Sequence, residues 1–333
     1  MRIAVMGAGS WGTALAQVAC ANGHEVRLWA RRDEVARAIN RDRRNPGYLR
    51  DVELGAGIEA TSDLAHALDG AEALLVVTPS KVMRAMAREV APLVRPDLPV
   101  ALCFKGIEEG TGRLPAEVFA AELGSPERIA VLSGPNHAEE VAIGIPAATV
   151  IACASAHVAS FLQDALGSGA FRVYASDDVP GVELCAASKN VIAIAVGASY
   201  GSGCGDNTAA MLITRGMAEM SRLVSKAGGD PLTCMGLAGA GDLIATCMSQ
   251  HSRNRRFGER LVEGMTPDRF SAETGMVVEG ALAARNFEVL ERRYGVDLPI
   301  TRVVRDLVWG DATIAGVRRQ LLERSFKAEF YGL

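Results

Sequence analysis

Little in the sequence marks it for a metal, a disulfide framework or a nucleic acid. Only five histidines occur in 333 residues. They show no metal-ligand spacing, and no carboxylate cluster suggests a divalent ion, so no metal is expected. The seven cysteines (20, 103, 153, 185, 204, 234 and 247) are odd in number, widely scattered and without a CxxC pair. They read as reduced, mostly buried thiols of a cytoplasmic protein rather than disulfides or zinc ligands. Positive charge is short as well, with 35 Lys and Arg against 39 Asp and Glu and a formal net charge of −4. That balance excludes the general field that binds nucleic acid or acidic membranes, so any basic site must be local. Apolar runs such as Val191 to Ala198 fall short of the roughly 20 residues of a membrane span. The first apolar run is cut by Gly7 and Gly9, too early for a signal peptide. What is present is 49% hydrophobic content over a length that suits two domains.

The chain is organised around its opening stretch, Ile3 to Met6, then Gly7 Ala8 Gly9 Ser10 Trp11 Gly12, then Thr13 to Ala16. This reads as a strand, a tight turn and a helix start. Gly7 can bend the chain, Gly9 lets bare backbone approach a pyrophosphate, and Gly12 lets the helix pack closely on the strand. The phosphate then sits on unpaired N–H groups at the positive end of the helix. A glycine triplet alone is a weak signal, since ordinary turns also carry one. Its place between a β-rich run and a helix is the context that points to a dinucleotide.

Further strands are expected at Glu25 to Trp29, Ala71 to Val77, Leu98 to Phe104, Ile129 to Leu132 and Ala147 to Cys153. Apolar strands alternating with helical stretches predict an α/β, Rossmann-type doubly wound sheet. Ligands of such sheets bind at the strands' carboxyl ends, where Thr78 to Ser80, Lys105 and Gly134 to Ala138 fall. Beyond Val179 Pro180 the strand signal stops, and Val182 to Ser199 and Asn207 to Lys226 read as helices. The expected division is a dinucleotide-binding domain over 1–181 and an all-α substrate-binding domain over 182–333. After the second strand, where NAD-selective sites place an acidic residue, the chain has Ala30 Arg31 Arg32. Two guanidinium groups suit a 2′-phosphate, which favours NADP over NAD. The other reading is a pair of solvated arginines partnered by Asp33 and Glu34. Eight arginines against three acids between Arg27 and Arg50 supply the local positive charge.

Several residues stand out for chemistry. Lys189 interrupts an apolar helix, and burying an ammonium costs several kcal/mol unless it is paired. Burial also lowers a lysine's pKa and makes it usable for proton transfer; the alternative is a lysine snorkelling at a helix edge. Lys105 can meet a phosphate or substrate oxygen, or be an ordinary loop lysine. The cluster Gly236 to Gly241 has no strand before it, so it reads as close helix packing that presents Asp242. That aspartate either orients a lysine, accepts a substrate hydroxyl or simply caps a helix. Ser252 Arg253 Asn254 Arg255 Arg256 places cations at a helix start, where they oppose the dipole unless an anion binds.

Long ordered motifs then make the whole chain resemble bacterial NAD(P)-dependent glycerol-3-phosphate dehydrogenases. They are GAGSWGTALA from Gly7, VTPSKVMR from Val77, KGIEEGTG from Lys105, SGPNHAEEVA from Ser133 and SKNVIAIAVG from Ser188. ITRGMAEM from Ile213, GLAGAGDL from Gly236, SRNRRFG from Ser252 and VVEG from Val277 complete the set. The resemblance implies reversible hydride transfer between NAD(P)H and dihydroxyacetone phosphate, giving sn-glycerol 3-phosphate for glycerophospholipid synthesis. It implies that Lys189 is the proton donor and acceptor, and that Lys105, Gly134, Asn136, Asp242, Ser252, Arg253 and Asn254 hold the substrate. Ser10, Trp11, Arg31, Arg32, Ala138, Val277 and Glu279 then contact the cofactor, which Lys105 and Arg253 also reach. Two departures stand out. Asn136 occupies a position where many members have Ser or Thr, which leaves its side-chain contact open, and Arg50 replaces a proline in a loop. The α domain could support a homodimer, although the pattern singles out no exposed apolar patch. The rival enzyme is a β-hydroxyacid dehydrogenase of similar architecture, which needs a carboxylate site rather than a phosphate site. A silent NADP-binding sensor would have no use for a buried Lys189.

Overall fold

The computed structural model describes residues 1–323 and residue 329, with only the backbone described at 318 and 320–323. The chain separates into two compact units, one of residues 1–105 with 113–179, the other of residues 106–112 with 180 onward.

The first unit is an eight-stranded sheet. Its strands are β1 (Arg2–Met6), β2 (Glu25–Trp29), β3 (Ile58–Thr61), β4 (Ala73–Val76), β5 (Val100–Leu102), β6 (Ile129–Ser133), β7 (Ala147–Cys153) and β8 (Phe171–Ser176). They run in the order β3-β2-β1-β4-β5-β6-β7-β8. Every neighbouring pair is parallel except β6 and β7. The order of the first six strands is that of the doubly wound dinucleotide fold, with its switch point between β1 and β4. The helices are α1 (Ser10–Ala21), α2 (Asp33–Asp42), α3 (Leu64–Leu68), α4 (Met83–Val90), α5 (Pro115–Leu123), α6 (Ala138–Val141) and α7 (Ala156–Leu166). Alternate strand residues are buried on both faces. Ile3, Val5, Leu75, Ala101 and Leu132 share one core with Leu15 and Ala16 of α1, Val141 of α6 and Leu162 of α7. Ala4, Met6, Leu74, Val76, Val100 and Leu102 are equally buried on the other face. A parallel sheet must be covered on both sides in this way, which is why its strands read as unbroken apolar runs.

Two strands differ from the sequence expectation by being present at all. β3 is four residues with a polar Glu59, too short to carry an apolar run. β8, Phe171 to Ser176, alternates buried Phe171 and Val173 with exposed Arg172 and Tyr174, the pattern of a half-buried edge strand. Two expected strands are shorter than read: 71–77 contracts to Ala73–Val76 and 98–104 to Val100–Leu102.

The second unit is helical among its described residues. Its helices are α8 (Val179–Gly201), α9 (Asp206–Lys226), α10 (Asp242–Met248), α11 (Arg253–Leu261), α12 (Pro267–Thr274), α13 (Glu279–Tyr294), α14 (Pro299–Trp309) and α15 (Ile314–Glu323). α8 is 23 residues and apolar enough to cross a membrane by length and composition, but 83% of its most apolar window is buried inside the fold. It is the core helix of this unit. Judging by uninterrupted runs understated it, because Glu183 and Lys189 punctuate the helix without ending it. α11 crosses it at very close range: a Cβ on Gly258 would lie 2.2 Å from the Ile194 carbonyl oxygen, and one on Gly197 2.1 Å from that of Arg255.

Glu219 of α9 is the buried polar contact that fixes α14. Leu298, at the N-cap of α14, offers no capping side chain. The Glu219 carboxylate accepts instead from the Ile300 N–H at 2.5 Å, and from the Thr301 N–H and hydroxyl at 3.3 Å. Burial pushes this carboxyl up to about 7, against the pull of those donors and of the Arg222 guanidinium. An acid whose folded pKa lies above its unfolded value near 4.5 disfavours folding once it must ionise. Its contribution to stability therefore falls as pH rises from about 4.5 to 7 and is level above that. We expect unfolding free energy to drop by on the order of 2–3 kcal/mol across this window from Glu219 alone. Denaturant titrations of the wild type and Glu219→Gln at pH 5 and 7.5 check this; the same pH slope in both proteins would contradict it.

Candidate functional site

In the first unit, the turn between β1 and α1 is built by close approach. Gly7 has φ +121°, a conformation that L side chains rarely adopt, and a Cβ there would lie 2.7 Å from the Val77 carbonyl oxygen. A Cβ on Gly12 would lie 1.7 Å from the Gly7 carbonyl oxygen. Gly9 is the opposite case, with nothing within 4 Å of its Cβ position. The turn is thus closed on its protein side and open where a ligand would lie. α1 starts there with no side-chain cap and no acidic residue in its first turn, so its N–H groups face the opening without a competing carboxylate. Asn45 buttresses the turn by donating to the Ala8 carbonyl at 2.9 Å and the Thr13 hydroxyl at 2.8 Å. Ser10 and Trp11 form the first residues of α1, and Trp11 packs its ring 6.4 Å from that of Phe171.

Past the end of β2, Arg31 and Arg32 are both exposed. Asp33 is taken by Arg37 at 2.7 Å, and Arg32 lies 3.6 Å from Glu34 with both side chains in solvent. Arg31 has no ion-pair partner among the described residues. Pairing here is weak enough for an anion to displace it.

Along the same carboxyl edge, Lys105 follows β5 by three residues. Gly134, just after β6, lies against β7: a Cβ on it would stand 2.9 Å from the Thr149 Cα. Asn136 donates its amide to the Ala148 carbonyl at 2.9 Å. Its Oδ1 and the hydroxyls of Thr78, Ser133 and Thr149 are buried without a partner among the described residues. Unsatisfied buried acceptors and hydroxyls are costly in a finished core, and their concentration at the sheet's carboxyl edge fits a polar ligand or water there. The short helix α6 begins at the buried Ala138.

In the second unit the structure brings Lys189 and Asp242 together. The Lys189 Nζ lies 2.5 Å from the Asp242 Oδ1 and donates to the Thr246 hydroxyl at 2.7 Å. All three are buried, at 6%, 3% and 6% exposure. Lys189 is therefore neither snorkelling nor solvated, and Asp242 is not a mere cap. Leu237 to Gly241 forms a π-helical turn that delivers Asp242 as the first residue of α10, and Thr246 follows one turn later on the same face. Gly239 permits the turn, since a Cβ there would meet the Cys234 carbonyl oxygen at 2.2 Å. Beside this cluster burial pushes the Cys247 thiol up to about 12, only partly offset by the positive charge of Lys189. That thiol stays protonated and offers no nucleophile.

A second group ties three helices together. Asn254 of α11 donates to the Asn190 Oδ1 of α8 at 2.9 Å and accepts from the Gly280 N–H of α13 at 3.0 Å. Asn254 is thus engaged within the protein, and Asn190 and Thr246 are neighbours of the lysine that sequence reasoning passed over. Ser252 caps α11 by accepting from the Arg255 N–H at 3.3 Å. Arg255 is committed to Glu259 at 2.9 Å and the Met248 carbonyl at 2.7 Å, while Arg253 and Arg256 are exposed. Val277 is exposed, and Glu279 opens α13.

Two family models together span most of the chain: the NAD-dependent glycerol-3-phosphate dehydrogenase N-terminus matches residues 2–159 and the C-terminus matches residues 178–317. The glycerol-3-phosphate dehydrogenase [NAD(P)+] of Corynebacterium urealyticum is 47% identical over 332 residues, 99% of this chain and 100% of that protein. That of Streptomyces griseus is 47% identical over 99% of this chain and 98% of its own length. The crystal structure of glycerol-3-phosphate dehydrogenase from Coxiella burnetii superposes with a TM-score of 0.91 at 38% identity, covering 97% of this chain and 99% of that one.

Removing one member of a buried ion pair leaves the other charge uncompensated, at about 3–5 kcal/mol. Asp242→Ala is expected to lose that much stability in denaturant titrations at pH 7, and a loss under about 1 kcal/mol would show that Asp242 does not neutralise Lys189.

Proposed function

The chain belongs to the NAD-dependent glycerol-3-phosphate dehydrogenase family, and from that premise we propose how its residues divide the work. It is an NAD(P)-dependent oxidoreductase that interconverts dihydroxyacetone phosphate and sn-glycerol 3-phosphate, a precursor of lipid synthesis. We assign residues 1–181 to cofactor binding and 182–333 to the substrate. The glycine turn fits a pyrophosphate on three counts: its closed protein side, the open space at Gly9 and an N-terminal helix end free of acidic side chains. Gly7, Gly9, Ser10, Trp11 and Gly12 then hold it. Arg31 and Arg32 bind a 2′-phosphate, which makes NADP preferred over NAD. Ala138, Val277 and Glu279 complete the cofactor contacts, to which Lys105 and Arg253 add.

A bound nicotinamide supplies the hydride for reduction and accepts it in oxidation. Lys189 gives a proton to the substrate's C2 oxygen as that oxygen gains negative charge, and takes the hydroxyl proton in the reverse direction. Asp242 and Thr246 fix the amine for that exchange. Lys105 supplies positive charge to the substrate. Ser252, Arg253 and the backbone N–H of Asn254 hold the phosphate at the start of α11, with Gly134 and Asn136 contributing to substrate binding, and this remote binding holds the ketone carbon in place. The observation that carries the reading is the buried Lys189 held by Asp242 and Thr246. An apolar core helix gains nothing from an ammonium unless chemistry requires it.

We place the protein in the cytoplasm as a homodimer. Exposed Met211, Leu232, Met235, Ile244 and Met248 on and around α9 and α10 support a subunit contact. The substrate assignment is tested by steady-state reduction of dihydroxyacetone phosphate against unphosphorylated 2- and 3-keto acids with both reduced cofactors. Preference for the acids would contradict it. For the cofactor, Arg31→Ala with Arg32→Ala should weaken NADPH binding at least about tenfold more than NADH binding, the scale of a lost bidentate phosphate contact. Equal losses would show that the arginines do not read the 2′-phosphate.

A further inference from the structure

The segment that follows Lys105 belongs to the helical unit, although the sheet unit resumes at Arg113. Contacts with α13 hold it in place. The Asn286 amide donates to the Ile107 carbonyl at 3.0 Å. A Cβ on Gly112 would lie 2.7 Å from a methyl of Val289, so the glycine lies flat on the helix. Arg285 and Glu109 stand 4.0 Å apart in solvent. Only the first of these is a directional bond to the backbone near Lys105, and the exposed pair contributes little.

Asn286 is out of place by local rules. Asparagine is a poor helix former, and this one sits mid-helix beside the buried Ala283, Ala284, Phe287 and Leu290. A polar side chain in such a position usually has a specific partner. Here the partner is a carbonyl 179 residues earlier, two positions after Lys105. Gly106, between them, has φ +153°, so the backbone at this junction is in a conformation that only glycine adopts readily. α13 is itself anchored at its first turn, where the Gly280 N–H meets Asn254 and its Cα packs against the Asn190 carbonyl. The helix thus joins the residue next to Lys189 at one end to the segment next to Lys105 two turns later.

We propose that Asn286 is a positioning residue for Lys105: its amide fixes the 106–112 segment, and through it the backbone from which the Lys105 side chain reaches the substrate. This rests on the role given to Lys105 above. A displacement of about 1 Å in a positioned group can cost on the order of a hundredfold in rate.

The test is a double-mutant cycle on the full-length enzyme, read as kcat and KM for dihydroxyacetone phosphate with NADPH. Asn286→Asp keeps the shape and removes the donor. In the wild-type background it should lower kcat/KM at least about tenfold. In a Lys105→Ala background the same substitution should cost less than about twofold, because residues that act through one another are not additive. It should also speed tryptic cleavage after Lys105. Equal losses in both backgrounds would make Asn286 a structural residue only and overturn the proposal, as would full activity of Asn286→Asp alone. If Lys105→Ala itself keeps full kcat/KM, the role of Lys105 fails first, and the cycle separates that failure from one at Asn286. Should Asn286→Asp not fold, Asn286→Ala enters the same cycle with the same criteria.

Discussion

The ion pair between Lys189 and Asp242 is the constraint around which the helical unit is arranged. An ammonium inside the core helix α8 needs a counter-charge and a second acceptor, and both come from α10, one turn apart. Delivering Asp242 to that place demands the π-helical turn before it, and that turn in turn demands a glycine at 239. The neighbouring Asn190 draws in α11 and α13 through Asn254. The buried charged group and its neighbour Asn190 together tie four helices to one another.

The sheet unit solves a different electrostatic problem. A chain with net charge −4 must hold an anionic dinucleotide. The glycine turn offers oriented N–H groups that need no cation, and the arginines after β2 offer exposed positive charge. The hydroxyls of Thr78, Ser133 and Thr149, buried without a partner among the described residues, sit at the same sheet edge. A core built for stability alone would have satisfied or replaced them.

Much of this was legible in the sequence because the signals are local. The glycine spacing, the fully apolar strands and the lone lysine in an apolar helix each announce a physical requirement within about ten residues. What was missed was either too short or too distant. β3 has four residues and a charge among them, and β8 alternates so that only half of it is apolar. The alternation in Phe171 to Ser176 could have been read, between the glycines at 167 and 169 and the polar run after it. Thr246 bonds to a lysine 57 positions earlier, a pairing that no sequence pattern encodes. Its spacing of four from Asp242 did put both on one helix face. The attachment of residues 106–112 to the helical unit has no sequence signature, since the glycines there signal a turn but not what the turn rests on.

The account stands on Lys189 as the group that exchanges the proton. Its most direct measurement is the turnover of Lys189→Ala with dihydroxyacetone phosphate, beside the affinity of the same variant for NADPH. Near-normal cofactor affinity with turnover down at least about a hundredfold is the predicted result, the usual scale for a positioned acid–base group. Turnover within a few fold of the wild type would contradict it.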